Sequence, residues 1–307
     1  MQLGYWPRVR IVHTSGRAAG QIYIPEINSA LMIACVALVI GFRKSDNLAA
    51  AYGIAVTGTM SITSLLFYAV ARRRWGWSRL QASLVTALFL FVDLGFFTAN
   101  VNKIVSGGWF PLAVAAVVFA IMTTWRRGRA ELAQQMRAAM MPIDLFMEDL
   151  ALTQPYRVAG TAVFMTSTMG GIPAVLLHHF KHNKVLHEQV VLLSVVTEDV
   201  PIVSGRERVE VEELGHGFYK VTAHYGFMQN PNVLKTLRRA QLQGVKCDPD
   251  TASFYLGRET LLVTGKGRMP RWRKLLFAFL ARNSRTATAF FGLPPNRVVE
   301  MGAQIEL

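Results

Sequence analysis

The sequence predicts an α-helical integral membrane segment followed by a cytoplasmic α/β domain. The chain of 307 residues is 52% hydrophobic with a mean hydropathy of +0.29, which is too apolar for an ordinary soluble protein. Residues 1–129 hold 13 Lys and Arg but three acidic residues, whereas residues 130–307 hold 20 basic and 16 acidic residues. Short β-branched runs also alternate with helical patterns in the second part. These observations indicate a membrane part and a water-facing part.

Four apolar runs in the first part are each long enough to cross a membrane. They cover about residues 22–42, 48–71, 82–101 and 109–125. A hydrocarbon core of ~30 Å needs about 20 residues of helix. One such run could equally be a buried helix of a soluble protein. Four in succession, separated by short basic linkers, favour membrane spans.

The basic residues that flank the spans predict the orientation of the chain in the membrane. Ten of them fall on one side and three on the other: Arg8, Arg10, Arg17, Arg72, Arg73, Arg74, Arg79, Arg126, Arg127 and Arg129 against Arg43, Lys44 and Lys103. Because cytoplasmic loops carry the excess of Lys and Arg, both termini are expected in the cytoplasm. The chain is then a multi-pass protein of a bacterial inner membrane with the lipid bilayer as its partner.

The rest of the chain divides into an amphipathic linker at 130–156 and a cytoplasmic α/β domain at 157–307. The two cysteines, Cys35 and Cys247, form neither a disulfide framework nor a metal pattern. Phosphate-binding loops and nucleophile elbows are also missing from the sequence, so no enzyme activity and no cofactor are expected. Nucleic acid is not an expected partner, because most of the positive charge flanks the apolar runs.

The second span carries hydroxyl groups at helical spacing. Tyr52, Val56, Thr59 and Thr63 share one face. A second face carries Thr57, Ser61, Ser64 and Tyr68. One interpretation is a cation path, in which hydroxyl oxygens replace water around the ion. The other is a packing seam of small residues at Ala51, Ala55 and Thr59, with hydroxyls bonded across helices. A Thr hydroxyl can also bond to the carbonyl of the preceding turn, which weakens the case for an ion ligand.

Asp93 is the carboxylate that lies deep in a span. An ionised Asp there costs about 2.5–3.5 kcal/mol on insertion scales, so it is a functional candidate. The structural alternative pairs it with Asn100 and Lys103, which lie further along the same face. Four histidines of the second part (His178, His179, His182 and His187) invite a metal interpretation, but a surface helix and its following loop are favoured because a closed zinc site needs four ligands.

Several motifs resemble the Kup/HAK/KT potassium-uptake family along the whole chain. They are Gly4-Tyr-Trp-Pro-Arg8, Ala51-Tyr-Gly-Ile-Ala-Val-Thr57, Gly107-Gly-Trp-Phe-Pro-Leu112, His182-Asn-Lys-Val-Leu-His-Glu188 and Pro294-Pro-Asn-Arg-Val-Val-Glu300. The resemblance implies the last four helices of an APC/LeuT-like transporter and its cytoplasmic domain. Members of the family have about eight further helices upstream, so this chain is expected to be a truncated product that needs those helices as partners.

The resemblance also implies a function. It is potassium transport, as potassium–proton symport, with potassium as the transported ion. Tyr52, Thr57 and Thr59 would line the potassium path, and Asp93 would couple the proton. The alternative is a membrane-anchored regulatory or ligand-binding α/β module without transport of its own. A second copy of the chain, forming a homodimer, is a further candidate partner.

Overall fold

The structure divides into two compact units. The computed structural model describes residues 3–9, 11–14, 21–166, 170–264 and 269–306. The membrane unit is Arg10–Ala120, and the α/β unit is Met1–Val9 together with Ile121–Leu307. The first residues thus group with the α/β unit rather than with the apolar part to which the sequence assigned them. One bond that holds them there runs from the Arg285 N–H to the Arg8 carbonyl oxygen, at 2.8 Å.

The membrane unit begins with a short antiparallel strand pair and continues with long helices. Its elements are β1 (Val12–His13), β2 (Ile22–Tyr23), α1 (Pro25–Phe42), α2 (Ser45–Arg73), α3 (Arg79–Val101), a π-helical turn (Ile104–Gly108) and the first part of α4 (Trp109–Ala138). Among the described residues, four helices are long and apolar enough to cross a membrane, which confirms the predicted spans. The first span begins later than predicted because Ile22 and Tyr23 pair with β1. Pro25 then opens the helix, where its fixed φ suits the first turn.

Helices α2 and α3 pack through small and polar side chains. Thr57 and Ser64 of α2 are buried, as are Thr86 and Asp93 of α3. A Cβ atom added to Gly53 would come within 2.7 Å of the Asn100 side-chain oxygen, so glycine permits this close approach. Among the described residues α1 contains none that is buried.

The α/β unit contains a mixed sheet covered on both faces. Its elements are α5 (Ile143–Thr153), β3 (Tyr156–Thr166), α6 (Ala174–Asn183), β4 (Val185–Glu198), β5 (Val209–Gly215), β6 (Phe218–Gly226), α7 (Val233–Leu242), β7 (Ser253–Leu262), α8 (Arg271–Arg282), α9 (Ala287–Phe290) and β8 (Val298–Glu306). In the part of the chain that is described, the order of the six strands is β5-β6-β4-β3-β7-β8. Only β5 is antiparallel to its neighbour. The chain leaves β3 first toward β4 and later toward β7, which is a doubly wound arrangement and confirms the predicted α/β class.

Alternating residues of the central strands supply two separate core layers. Val163 of β3 packs into the layer that contains Leu237 of α7. The next residue, Phe164, packs into the layer that contains Phe146 of α5 and Leu176 of α6. Successive strand residues point to opposite faces, so continuous apolar runs are what a sheet covered on both sides requires.

The predicted linker at 130–156 is instead packed structure. Residues 121–138 continue α4, where Leu132 is 2% exposed, and α5 buries Phe146 and Leu150 in the core. The sequence suggested an amphipathic linker because Leu132, Met136, Met140 and Met141 recur at helical spacing and Pro142 ends the pattern. The charged residues of this region lie on the outer face of amphipathic helices, and the α/β body therefore begins well before residue 157.

Candidate functional site

The structure shows the predicted polar face on α2, but most of its hydroxyl groups donate to backbone carbonyls of the same helix. Thr57 donates to the Gly53 carbonyl oxygen at 2.7 Å, and Thr59 donates to the Ala55 carbonyl oxygen at 2.8 Å. Thr63 does the same to Thr59, also at 2.8 Å. Each of these oxygens keeps its lone pairs, since the hydroxyl is the donor. The bond to the preceding turn therefore engages the hydroxyl hydrogen and leaves the oxygen free to face a cation.

Ser64 is the hydroxyl that leaves this pattern. Its Oγ donates to Oδ2 of Asp93 on α3 at 2.5 Å, and both residues are buried. A hydrogen bond to an ionised carboxylate is a strong one, and in an apolar surrounding it offsets part of the cost of the charge. The bond fixes Asp93 against the face of α2 that carries the predicted hydroxyls.

Asp93 and Ser64 stand at the wall of a cleft in the membrane unit. The cleft has a volume of about 500 Å³, and its polar lining comes from Tyr52, Thr59, Thr63, Ser64 and Asp93. Tyr52 is 72% exposed, and Thr59 and Thr63 are also exposed. The arrangement brings one carboxylate and several hydroxyl oxygens to a common space, which is the chemistry that binds a cation or a proton.

The structure separates the residues that the sequence grouped. Tyr52 and Thr59 line the cleft with Asp93, whereas Thr57 is 7% exposed and is absent from the cleft lining. Ala55 and Thr59 of the predicted packing seam are exposed and line the cleft, so no described helix packs over them.

The predicted partners of Asp93 are also wrong. Asp93 accepts its hydrogen bond from Ser64, and Asn100 donates to the Phe96 carbonyl oxygen at 2.9 Å. The sequence placed Ser64 on the same face as Thr57 but did not predict its bond to Asp93, because the two residues are 29 positions apart on different helices. Ser64 also lies one position past the stripe that ends at Thr63. Whether Ser64 comes close to the Asp93 carboxylate depends on the faces that α2 and α3 turn toward each other.

The histidines of the α/β unit do not form one surface cluster. His178 and His182 are exposed on α6, but His179 is 3% exposed and packs against Tyr255, with 4.8 Å between the ring centroids. The prediction of a surface position is therefore wrong for His179. In the part of the chain that the structure describes, no group of three His, Cys, Asp or Glu could hold a metal.

Burial determines the charge state of the inner pair. It lowers the pKa of His179 below the ordinary 6.5, and the neighbouring His187 lowers this pKa further. A hydrogen bond to the backbone of Val185 acts in the opposite direction. Burial also lowers the pKa of His187. Both rings are therefore neutral near pH 7 and act as part of the packed core.

Comparison with known proteins matches both parts of the chain. Residues 1–130 match the family model described as the K+ potassium transporter integral membrane domain, and residues 159–307 match the K+ potassium transporter C-terminal domain. A "Probable potassium transport system protein Kup" of Anaeromyxobacter sp. (strain K) is 59% identical over 312 residues, covering 100% of this chain and 46% of the relative. A protein of the same description in Myxococcus xanthus is 53% identical and is covered over 47% of its length. The chain spans about half the length of the curated relatives that it matches.

Proposed function

Because the chain belongs to the Kup/HAK/KT family of potassium transporters, we propose that it takes part in potassium transport across a membrane, as the C-terminal portion of a Kup-type uptake system. It is a multi-pass membrane protein with four candidate spans among its described residues. The observation that supports transport most directly is the buried Asp93, held by Ser64 beside a cleft lined with hydroxyls.

Asp93 is proposed as the proton-coupling group. A buried carboxylate can hold one proton or one net negative charge, and a cation in the same cleft favours the charged form. Binding of potassium and loss of the proton are then linked through charge. Ser64 supports this exchange, because its hydroxyl can donate to the carboxylate and can accept from the protonated acid.

Tyr52 and Thr59 are proposed to line the potassium path, with Thr63 beside them. The cleft offers one carboxylate and a few hydroxyl oxygens, because the backbone carbonyls of α2 are engaged in the helix. A dehydrated potassium ion needs a shell of converging oxygens. Transporters built from repeats take those oxygens from several discontinuous helices near the midplane. We therefore propose that helices beyond α1–α4 complete the ion site.

The proposed setting is the bacterial inner membrane with both termini in the cytoplasm. The support is the excess of ten basic residues against three in the segments that flank the spans. A cysteine introduced at Arg73 should be shielded from an impermeant thiol reagent in intact cells. Labelling of that cysteine from outside would overturn the orientation.

Growth of a potassium-uptake-deficient strain on limiting potassium tests the function. The chain should restore growth when the upstream helices of a Kup relative are co-expressed, and it should fail alone. In the complemented system, Asp93→Asn should slow uptake and remove its dependence on external pH. Asp46→Asn is the matched control, since Asp46 is exposed in the first turn of α2. Growth by the chain alone would contradict completion by other helices, and full uptake by Asp93→Asn would contradict proton coupling.

A pair of threonine variants separates path lining from packing. Thr59→Val removes a hydroxyl oxygen from the cleft while keeping the side-chain volume, so the KM for potassium should rise. Thr57→Val removes a hydroxyl that lies outside the cleft lining and should leave the KM unchanged. Equal effects of the two variants would contradict the assignment of Thr59.

A regulatory or ligand-binding module without transport is the second candidate. Its support is the α/β unit, whose sheet has a complete core on each face. This function predicts no potassium uptake in any combination of co-expressed helices.

A further inference from the structure

Helix α8 presents an unusual outer face to the surroundings. Trp272, Leu275 and Phe279 recur at spacings of 3 and 4 on one side of the helix, and their exposed fractions are 53%, 54% and 62%. Arg271 and Arg282 are exposed at the two ends of the same stripe. Arg273 lies over the Trp272 ring, 5.0 Å from its centroid. A long apolar stripe with arginines at its ends is costly to leave in water.

The sequence segment that contains α8 carries charge of one sign. Residues 260–299 contain eight basic residues and no acidic residue. The basic residues are Lys266, Arg268, Arg271, Arg273, Lys274, Arg282, Arg285 and Arg297. Of these, Arg271, Arg282 and Arg285 are exposed. Exposed arginines attract an anionic partner, and an apolar stripe between them favours a partner that also has an apolar interior, such as a lipid surface.

The inner face of α8 is fixed to the polar end of α4. Phe277 is fully buried, and its ring centroid is 5.4 Å from that of Trp125. A Cβ atom added to Gly128 would overlap the Phe277 ring, so the two helices touch there. Trp125 ends the apolar run of α4, and Arg126 and Arg127 follow it directly. A Trp followed by arginines marks the boundary between hydrocarbon and water on a spanning helix.

We propose that α8 lies in the membrane interface and binds anionic phospholipids. Trp272, Leu275 and Phe279 enter the boundary between headgroups and acyl chains, and Arg271 and Arg282 contact lipid phosphates. The contact with Trp125 and Gly128 holds α8 at the level where α4 leaves the hydrocarbon. The proposal depends on the membrane location of the chain and not on potassium transport.

A second copy of the same face is a poorer partner. Two α8 helices packed face to face would bring arginines of both copies together, and the segment offers no acidic residue to neutralise them. Like charges placed opposite each other across an interface oppose association. Lipid phosphates carry the opposite charge, so their binding to these arginines involves no such repulsion.

Fluorescence of the full chain in lipid nanodiscs tests the proposal. Single-cysteine variants are made in a Cys35→Ser, Cys247→Ala background and labelled with an environment-sensitive dye at Leu275→Cys. The matched control is Leu242→Cys on α7, where the side chain is 88% exposed. With one copy per nanodisc containing phosphatidylglycerol, the dye at 275 should emit at shorter wavelength than the dye at 242. Nitroxide-labelled lipids should quench it at a depth of about 5–10 Å into the headgroup boundary.

Charge variants identify the lipid phosphate as the partner. Arg271→Glu with Arg282→Glu should return the dye at 275 to the emission of the control position, and Arg271→Lys with Arg282→Lys should keep the short-wavelength emission. Replacing phosphatidylglycerol by phosphatidylcholine should weaken the quenching. Emission at 275 equal to that at 242 in every lipid would overturn the proposal. So would protection that appears only with two copies per nanodisc, which would assign the face to a second copy.

Discussion

The membrane unit and the α/β unit bury opposite kinds of side chain. In the α/β unit, Phe164, Leu193 and Phe254 are fully buried. In the membrane unit, Leu88 and Phe91 are 63% and 80% exposed, while Ser64 and Asp93 are buried. Water drives apolar side chains into a core. Lipid tails are as apolar as leucine, so small residues and hydrogen bonds hold spanning helices together instead.

Because of this difference, an apolar residue is expected in different places in the two units. The large apolar side chains of the spanning helices are mostly exposed, as expected of a surface for lipid or for further helices, whereas those of the central strands β3, β4, β6 and β7 pack into a core. The contrast also locates the chemistry. Polar groups of the membrane unit line the cleft around the buried Ser64 and Asp93, whereas the charged side chains of the α/β unit are mostly exposed. Four experiments would sharpen or break this contrast.

The largest effect is expected from the boundary of the α/β unit. A fragment of residues 139–307 should unfold in one cooperative transition, because it keeps Phe146 and Leu150 in the core. A fragment of residues 157–307 lacks α5 and should lose that transition. Urea titration followed by circular dichroism measures both. A cooperative transition of equal midpoint in the shorter fragment would show that α5 is dispensable.

Truncation of one aromatic ring should destabilise the α/β unit much more than the membrane unit. Phe164→Ala removes a fully buried ring and should lower the free energy of unfolding by about 3–5 kcal/mol. Phe91→Ala is the matched change in the membrane unit and should cost much less, since the ring is 80% exposed. Denaturant unfolding of the full chain in detergent, followed by hydrogen exchange of each unit, compares them. Similar losses would mean that both units rest on buried aromatic cores.

Two glycines in helices give a smaller contrast. Gly128→Ala places a methyl group against Phe277, so the free energy of unfolding of the α/β unit should fall by about 1–3 kcal/mol. A Cβ atom at Gly95 of α3 meets no atom within 4 Å. Gly95→Ala should therefore leave the thermal midpoint unchanged or raise it slightly, since Ala favours a helix. A neutral Gly128→Ala would contradict the close contact between α4 and α8.

Acidification should weaken the α/β unit by the smallest amount. Burial lowers the pKa of His179 and His187 in the folded state below the ordinary 6.5. As the pH falls below about 6.5, the unfolded chain binds protons first, so stability is complete above that pH and declines below it. One group contributes a slope of at most about 1.4 kcal/mol per pH unit.

A matched pair of variants shows whether His179 causes this dependence of the free energy of unfolding on pH. His179→Phe should flatten the decline between pH 7 and pH 5, and His178→Phe should not, because His178 is exposed. Urea midpoints at several pH values measure it. An unchanged slope in both variants would place the titrating groups elsewhere.

The sequence predicted part of the site from local features. Asp93 was identifiable because a carboxylate inside an apolar run is costly, and Tyr52 and Thr59 because they repeat on one helical face. Thr57 was grouped with them, although it lies outside the cleft lining. The bond between Ser64 and Asp93 was not predicted, since it depends on the rotation of two helices about their axes.

The sequence by itself determined the four spans, the α/β class and the family, because span length, strand alternation and motif identity are properties of neighbouring residues. Only the tertiary structure decided where the units divide, that Phe146 belongs to the core, and that His179 is buried among aromatic rings. It also decided the contact between Gly128 and Phe277. These features join residues far apart in the chain. They depend on which faces the elements turn toward each other, and no local pattern encodes that choice.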